Sequence, residues 1–166
     1  MTVPTSTRPV HRGESSDSVS VTTAAVLHFP PADVFDFLTH LENNPRWNWA
    51  IVSTEPLTDG PTRAGSRFVQ TRSSPRRARE VLEVAAHDQG RLLEIVTRAD
   101  GTMATYRYEL EPVSTRSARL TVRAELRPDH PIGRSHLYRA RAEATLRASL
   151  DELAGALGEE SRRVRP

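Results

Sequence analysis

Residues 29–49 read FPPADVFDFLTHLENNPRWNW, and this stretch decides how the rest of the chain is understood. Pro30-Pro31 ends whatever strand precedes it, because proline cannot donate to a ladder. Pro31 also suits the first turn of a helix, where its missing N–H is not needed. Val34, Phe37, Leu38 and Leu41 then fall on one helical face, with Phe35 flanking it. Asn43-Asn44-Pro45 breaks the helix, since the residue before proline avoids the α region. Trp47 and Trp49 lead into a second strand at Ile51 and Val52.

Upstream, Val19, Val21, Thr23 and Ala25 alternate with Ser20, Thr22 and Ala24, which predicts a half-buried strand over residues 18–29. Residues 1–17 are rich in Ser, Thr, Pro and Arg without periodicity, and a disordered tail is expected there. Downstream, the chain reads as strands: 51–56, 66–72, 78–87, 91–98 and 102–111, then one through Leu120 to Leu126. In the 66–72 strand, Phe68 and Gln70 share one face while Arg67, Val69 and Thr71 share the other. Asp88-Gln89-Gly90 fits a type I turn with Gly late in it, and Asp100-Gly101 is a hairpin signal.

The last hairpin has a register that satisfies both faces at once. With Leu110 opposite Leu120, Ala104, Tyr106 and Tyr108 join Val122, Ala124 and Leu126 on one face. The other face places Glu111 opposite Arg119 and Glu109 diagonal to Arg123. After a break at Pro128 to Gly133, residues 134–158 read as one helix with Leu146, Leu150, Leu153 and Leu157 as its stripe. Towards the helix start that stripe fades into Arg139, Ala142 and Glu143. Gly158 reads as its C-terminal cap and 159–166 as a second tail.

At 166 residues the chain has the length of one domain, and 37% hydrophobic with 27% charged residues is a globular composition. No apolar run approaches the roughly 20 residues of a membrane span, and no secretory signal core opens the sequence, so a cytoplasmic location is expected. The absence of cysteine excludes disulfides, a thiolate nucleophile and thiolate metal ligands. All 23 basic residues are Arg, and the net charge is only +2. Arg76, Arg77 and Arg79 form the densest basic run. Without interleaved aromatics it reads as a charged hairpin tip protecting a strand edge rather than a nucleic-acid contact.

Catalytic signatures are sparse. There is no nucleophile elbow, zincin helix or phosphate-binding glycine loop. His11, His28, His40, His87, His130 and His136 are scattered, so no metal site and no cofactor are expected. Nothing in the sequence places an acid–base pair on the inward face. Trp47, following the helix break, is the better of the two tryptophans for lining a hollow. Tyr106 and Tyr108 point inward by the register above, and two adjacent phenols suit a pocket better than a solid core. Phe68 shares the inward face. Tyr138 and Arg141 sit on the less apolar half of the long helix, where they could orient a polar group of a ligand.

The segments 29–38 (FPPADVFDFL), 44–47 (NPRW), 60–68 (GPTRAGSRF), 90–95 (GRLLEI), 106–112 (YRYELEP) and the leucine stripe 146–157 occur in an order that resembles the START-like (SRPBCC) superfamily. Within it, the chain resembles the polyketide cyclase/dehydrase-like proteins. The resemblance covers about residues 18–158 and implies an α+β helix-grip fold. In that fold a curved antiparallel sheet of about seven strands wraps around a long C-terminal helix, with two short helices after the first strand. It further implies a cavity for an apolar or aromatic, lipid- or polyketide-like molecule, held for transport, sensing or protection. The alternatives are a cyclase, aromatase or dehydratase acting in that cavity, and an interaction module whose cavity is filled. The expected partner is an apolar small molecule, with no nucleic acid, no integral membrane segment, and a monomeric or homodimeric state.

Overall fold

The computed structural model describes residues 18–73, 76–99, 101–129 and 136–163. Seven antiparallel strands form one curved sheet: β1 (Val19–Leu27), β2 (Ile51–Pro56), β3 (Arg67–Arg72), β4 (Ala78–Asp88), β5 (Leu92–Ala99), β6 (Thr102–Ser114) and β7 (Ser117–Pro128). Their order across the sheet is β1-β7-β6-β5-β4-β3-β2. Register shifts interrupt β2–β3 between Ile51 and Ser53 and β4–β5 between Val84 and Ala86. Such bulges increase local twist and bend a sheet. A short helix α1 (Pro31–Thr39) and a 3-10 helix (Leu41–Arg46) follow β1, and the long helix α2 (His136–Arg163) closes the fold. The architecture is the helix-grip fold expected from the sequence. No helix among the described residues is long and apolar enough to cross a membrane.

Strand pairing follows the expected register: Leu110 lies opposite Leu120 and Glu111 opposite Arg119. On the outer face, however, Glu109 is taken by Arg107 at 2.9 Å, which also holds Glu94 at 2.9 Å. Arg123 pairs with Glu125 instead, its neighbour two along the same strand.

α1 begins with Pro31 and carries Asp33 in its first turn, where a carboxylate complements the helix dipole. Phe35 does not merely flank the apolar face. It is fully buried against His87, with ring centroids 5.5 Å apart. The helix ends at Thr39, whose hydroxyl donates to the Phe35 carbonyl at 3.0 Å. The break between the two short helices falls at His40, ahead of the expected Asn43-Asn44-Pro45. Asn43-Asn44-Pro45 lies within the 3-10 helix, and Asn43 Nδ2 donates back to the Phe37 carbonyl at 3.1 Å.

Three further expectations are corrected. Gly90 occupies the third position of the turn closed by Arg91 N to Asp88 O, with φ of 76°, a value that a type I turn does not have. The Arg-rich run spans the β3–β4 connection and, with Arg79, the start of β4, and these two strands are paired with each other. It therefore guards no edge; the sheet edges are β1 and β2. Gly158 does not cap α2, which runs on to Arg163. In this extension Arg46 Nη1 donates to Glu160 Oε2 at 2.8 Å while its guanidinium stacks 4.9 Å over Phe37. The expected N-terminal tail and Asp100 lie outside the described residues, and of the break expected at Pro128 to Gly133 only Pro128, still within β7, and Asp129 are described.

The core has two parts. One gathers Leu27, Val34, Phe37, Leu38, Trp47, Leu120, Val122 and the α2 residues Leu150, Leu153 and Leu157. The other holds Leu41, Phe68, Leu82, Val84, Leu93 and Ile95. Tyr108 packs against both. The leucine stripe thus anchors the second half of α2. Its first half is peripheral, and Leu137 is 79% exposed.

Candidate functional site

Four of the six residues expected to line a site come together across the seam between the two core parts. Trp47 is buried, and its ring meets Tyr108 edge-on at 6.3 Å. Its indole Nε1 has no hydrogen-bond partner among the described residues. Tyr106 stands two residues along β6, opposite Ile95 on one side and Ala124 on the other. Its phenol lies within electrostatic reach of Tyr138 on α2 and of Glu80 and Arg72 on the sheet.

The remaining two are placed differently. Phe68 is buried within the second core part. It also lines a separate pocket of about 330 Å³ between the end of α1, the β2–β3 connection and the β4–β5 turn, to which none of the Tyr106 cluster contributes. Arg141 is exposed on α2; its backbone carbonyl accepts the Thr145 hydroxyl at 2.9 Å.

Both inward phenols are deep. Burial raises the pKa of Tyr106 to about 12, aided by the charge of Glu80 and by Tyr138 and opposed by Arg72. Burial also pushes Tyr108 up, with Tyr106 adding to it. Each therefore stays a neutral hydrogen-bond donor across the physiological range.

Beside them lies a polar network that the sequence reading did not place. Gln70 on β3 faces Glu80 on β4, and its Nε2 donates to Glu80 Oε1 at 2.7 Å. The Gln70 carbonyl oxygen accepts from Asn44 Nδ2 and Thr54 Oγ1, each at 3.3 Å. Arg72 Nε lies 3.9 Å from Glu80 Oε2. Asn44, Thr54, Gln70 and Glu80 are all buried. An inward carboxylate beside an arginine is thus present. The signal for it was Gln70, already read on the Phe68 face: carrying that register to the next strand puts Glu80 beside it. No three metal-ligating side chains converge among the described residues.

This arrangement sets charged and hydrogen-bonding groups against an aromatic wall.

Comparison with known proteins accords with the geometry. A START superfamily protein from Mycobacterium smegmatis superposes with a TM-score of 0.74 at 15% identity, covering 84% of this chain and 97% of that one. The Zhui aromatase/cyclase from Streptomyces sp. R1128 gives 0.65 at 16% identity, over 89% and 96%. The di-domain ARO/CYC BexL of the BE-7585A biosynthetic pathway gives 0.69 at 16%, covering 84% of this chain and 46% of that one. At such identities the likeness establishes the fold alone. No curated protein matches the chain. Residues 18–158 match the family described as polyketide cyclase / dehydrase and lipid transport, and the chain belongs to that family.

Proposed function

We propose that the protein binds an apolar or aromatic small molecule between the sheet and the first half of α2, with Trp47, Tyr106, Tyr108 and Tyr138 as its lining. The observation that carries this reading is the dual character of Tyr106 and Tyr108. Both are deep enough for burial to raise their phenol pKa values, yet both retain accessible surface. A side chain far from bulk solvent that still has free surface borders a space rather than packed atoms. The peripheral first half of α2, with no leucine stripe to fill that space, supports the same reading.

A thermal-shift screen against apolar and aromatic compounds tests it. Binding to the folded state alone raises Tm with ligand concentration, by roughly 2.7 kcal/mol of stability at a hundredfold excess over Kd. A concentration-dependent rise that is weakened by Tyr106→Phe supports the reading. A flat response across the screen counts against it.

A second reading, cyclisation or aromatisation of a polyketide-like chain, is favoured by one observation: the buried Glu80 beside Arg72 and Tyr106. A carboxylate there could take a proton from a methylene flanked by carbonyls. Neutral Tyr106 and the Arg72 cation would stabilise the enolate oxygen that forms. Ring closure of a poly-β-ketone analogue by the wild type but not by Glu80→Gln would distinguish this reading from binding alone.

A further inference from the structure

Glu80 is an odd residue for an apolar lining. It is 7% exposed, and leaving a carboxylate that deep is costly unless its oxygens are satisfied. Gln70 satisfies one of them, at 2.7 Å. Gln70 is itself prevented from turning, because Asn44 and Thr54 both donate to its carbonyl oxygen and so fix which end of the amide meets Glu80. Gln70 alone thus bonds that carboxylate oxygen, and Asn44 and Thr54, from two other elements, hold Gln70. The other oxygen is not held in this way. Arg72 Nε is 3.9 Å from Oε2, close enough to balance charge and too far for a hydrogen bond.

We propose that Glu80 is the specificity-determining residue of the binding site: its Oε2 accepts a hydrogen bond from a hydroxyl of the ligand, so the site selects hydroxylated neutral molecules over their ethers and over carboxylic acids. This rests on the binding function proposed above. A phenol or alcohol fills the open acceptor. A methyl ether of the same shape supplies no donor and leaves Oε2 unpaired. A carboxylate brings a second negative charge towards a fixed one, which disfavours it. Tyr106, kept neutral by its burial, is available to donate to a carbonyl oxygen on the same molecule. Tethering by Gln70, Asn44 and Thr54 keeps the acceptor in place before the ligand arrives, so little ordering is spent on binding.

Isothermal titration with naphthol, methoxynaphthalene and naphthoate tests the assignment. Hydrogen bonds to charged groups contribute about 1.5–3 kcal/mol, so the wild type should bind naphthol roughly ten- to a hundredfold more tightly than methoxynaphthalene. Naphthoate should bind more weakly than naphthol. Glu80→Gln retains an oxygen for Gln70 and turns the open position into an N–H donor. In that variant the naphthol preference should collapse and naphthoate should gain. Equal binding of naphthol and methoxynaphthalene by the wild type, or an unchanged ratio in Glu80→Gln, would overturn the assignment while leaving small-molecule binding intact. Binding of none of the three overturns the assignment and counts against the binding function as well. The wild-type comparison decides by itself if the variant fails to fold.

Discussion

Trp47 stands edge-on to Tyr108, with ring centroids 6.3 Å apart and planes 88° apart, and this contact joins the two halves of the core. An edge-to-face aromatic pair adds about 0.5–1.5 kcal/mol beyond its buried area. The Tyr108 hydroxyl makes no hydrogen bond to any described residue. Tyr108→Phe is therefore expected to change stability by less than about 1 kcal/mol in urea unfolding, because no hydrogen bond is lost. Trp47→Ala should cost about 3–5 kcal/mol through the cavity it leaves. A large loss in Tyr108→Phe would show that the hydroxyl is hydrogen-bonded in the folded protein.

Gln70 and Glu80 should be energetically coupled. Removing Glu80 strands the Gln70 amide, and removing Gln70 strands Glu80 Oε1. Each truncation to Ala is expected to cost about 1–3 kcal/mol or more, and the double variant less than the sum. A double-mutant cycle by chemical denaturation measures the coupling. Additive losses would show that the 2.7 Å contact contributes nothing specific.

Alkaline pH should act through the buried phenols. The folded pKa of Tyr106 is raised to about 12 from 10.0, so the folded state holds its proton where the unfolded state releases it. Stability from this group is complete below pH 10 and declines as pH rises through about 12. Absorbance at the phenolate band should show Tyr106 and Tyr108 ionising late, and together with loss of structure. Tyr106→Phe should remove part of that late change. Ionisation of both phenols at the ordinary value in the folded protein would refute their burial.

The end of α2 should depend on Arg46. Its pair with Glu160 is partly solvated, so Glu160→Ala is expected to cost only about 0.5–1 kcal/mol. Arg46→Ala should cost more, since it also removes the cation stacked on Phe37. Thermal unfolding of the two variants gives the order, and the reverse order would contradict the stacking contribution.

What was legible in the sequence was what repeats locally. The register of β6 with β7 follows from alternation on both faces, and the leucine stripe of α2 from its spacing. Trp47 as the inner tryptophan followed from its place after the helix break; Trp49 is 59% exposed. Glu80 was not legible in this way. Its environment is assembled from Asn44, Thr54, Gln70 and Arg72, which lie on three other elements. Within β4 alone it reads as one charge among Arg79, Glu80 and Glu83. Gly158 misled for a related reason: a glycine near the end of a stripe looks like a cap, but Arg46, over a hundred residues earlier, gives α2 a partner beyond it.

The proposed function requires that a small molecule bind beside Tyr106 and Tyr108. Native mass spectrometry of freshly purified protein tests this most directly. Ligand binding predicts a species heavier than the 166-residue chain by the mass of one small molecule, lost on collisional activation and depleted in Trp47→Ala and Tyr106→Phe. A single species at the bare chain mass, unchanged after incubation with the compounds of the thermal-shift screen, would contradict it.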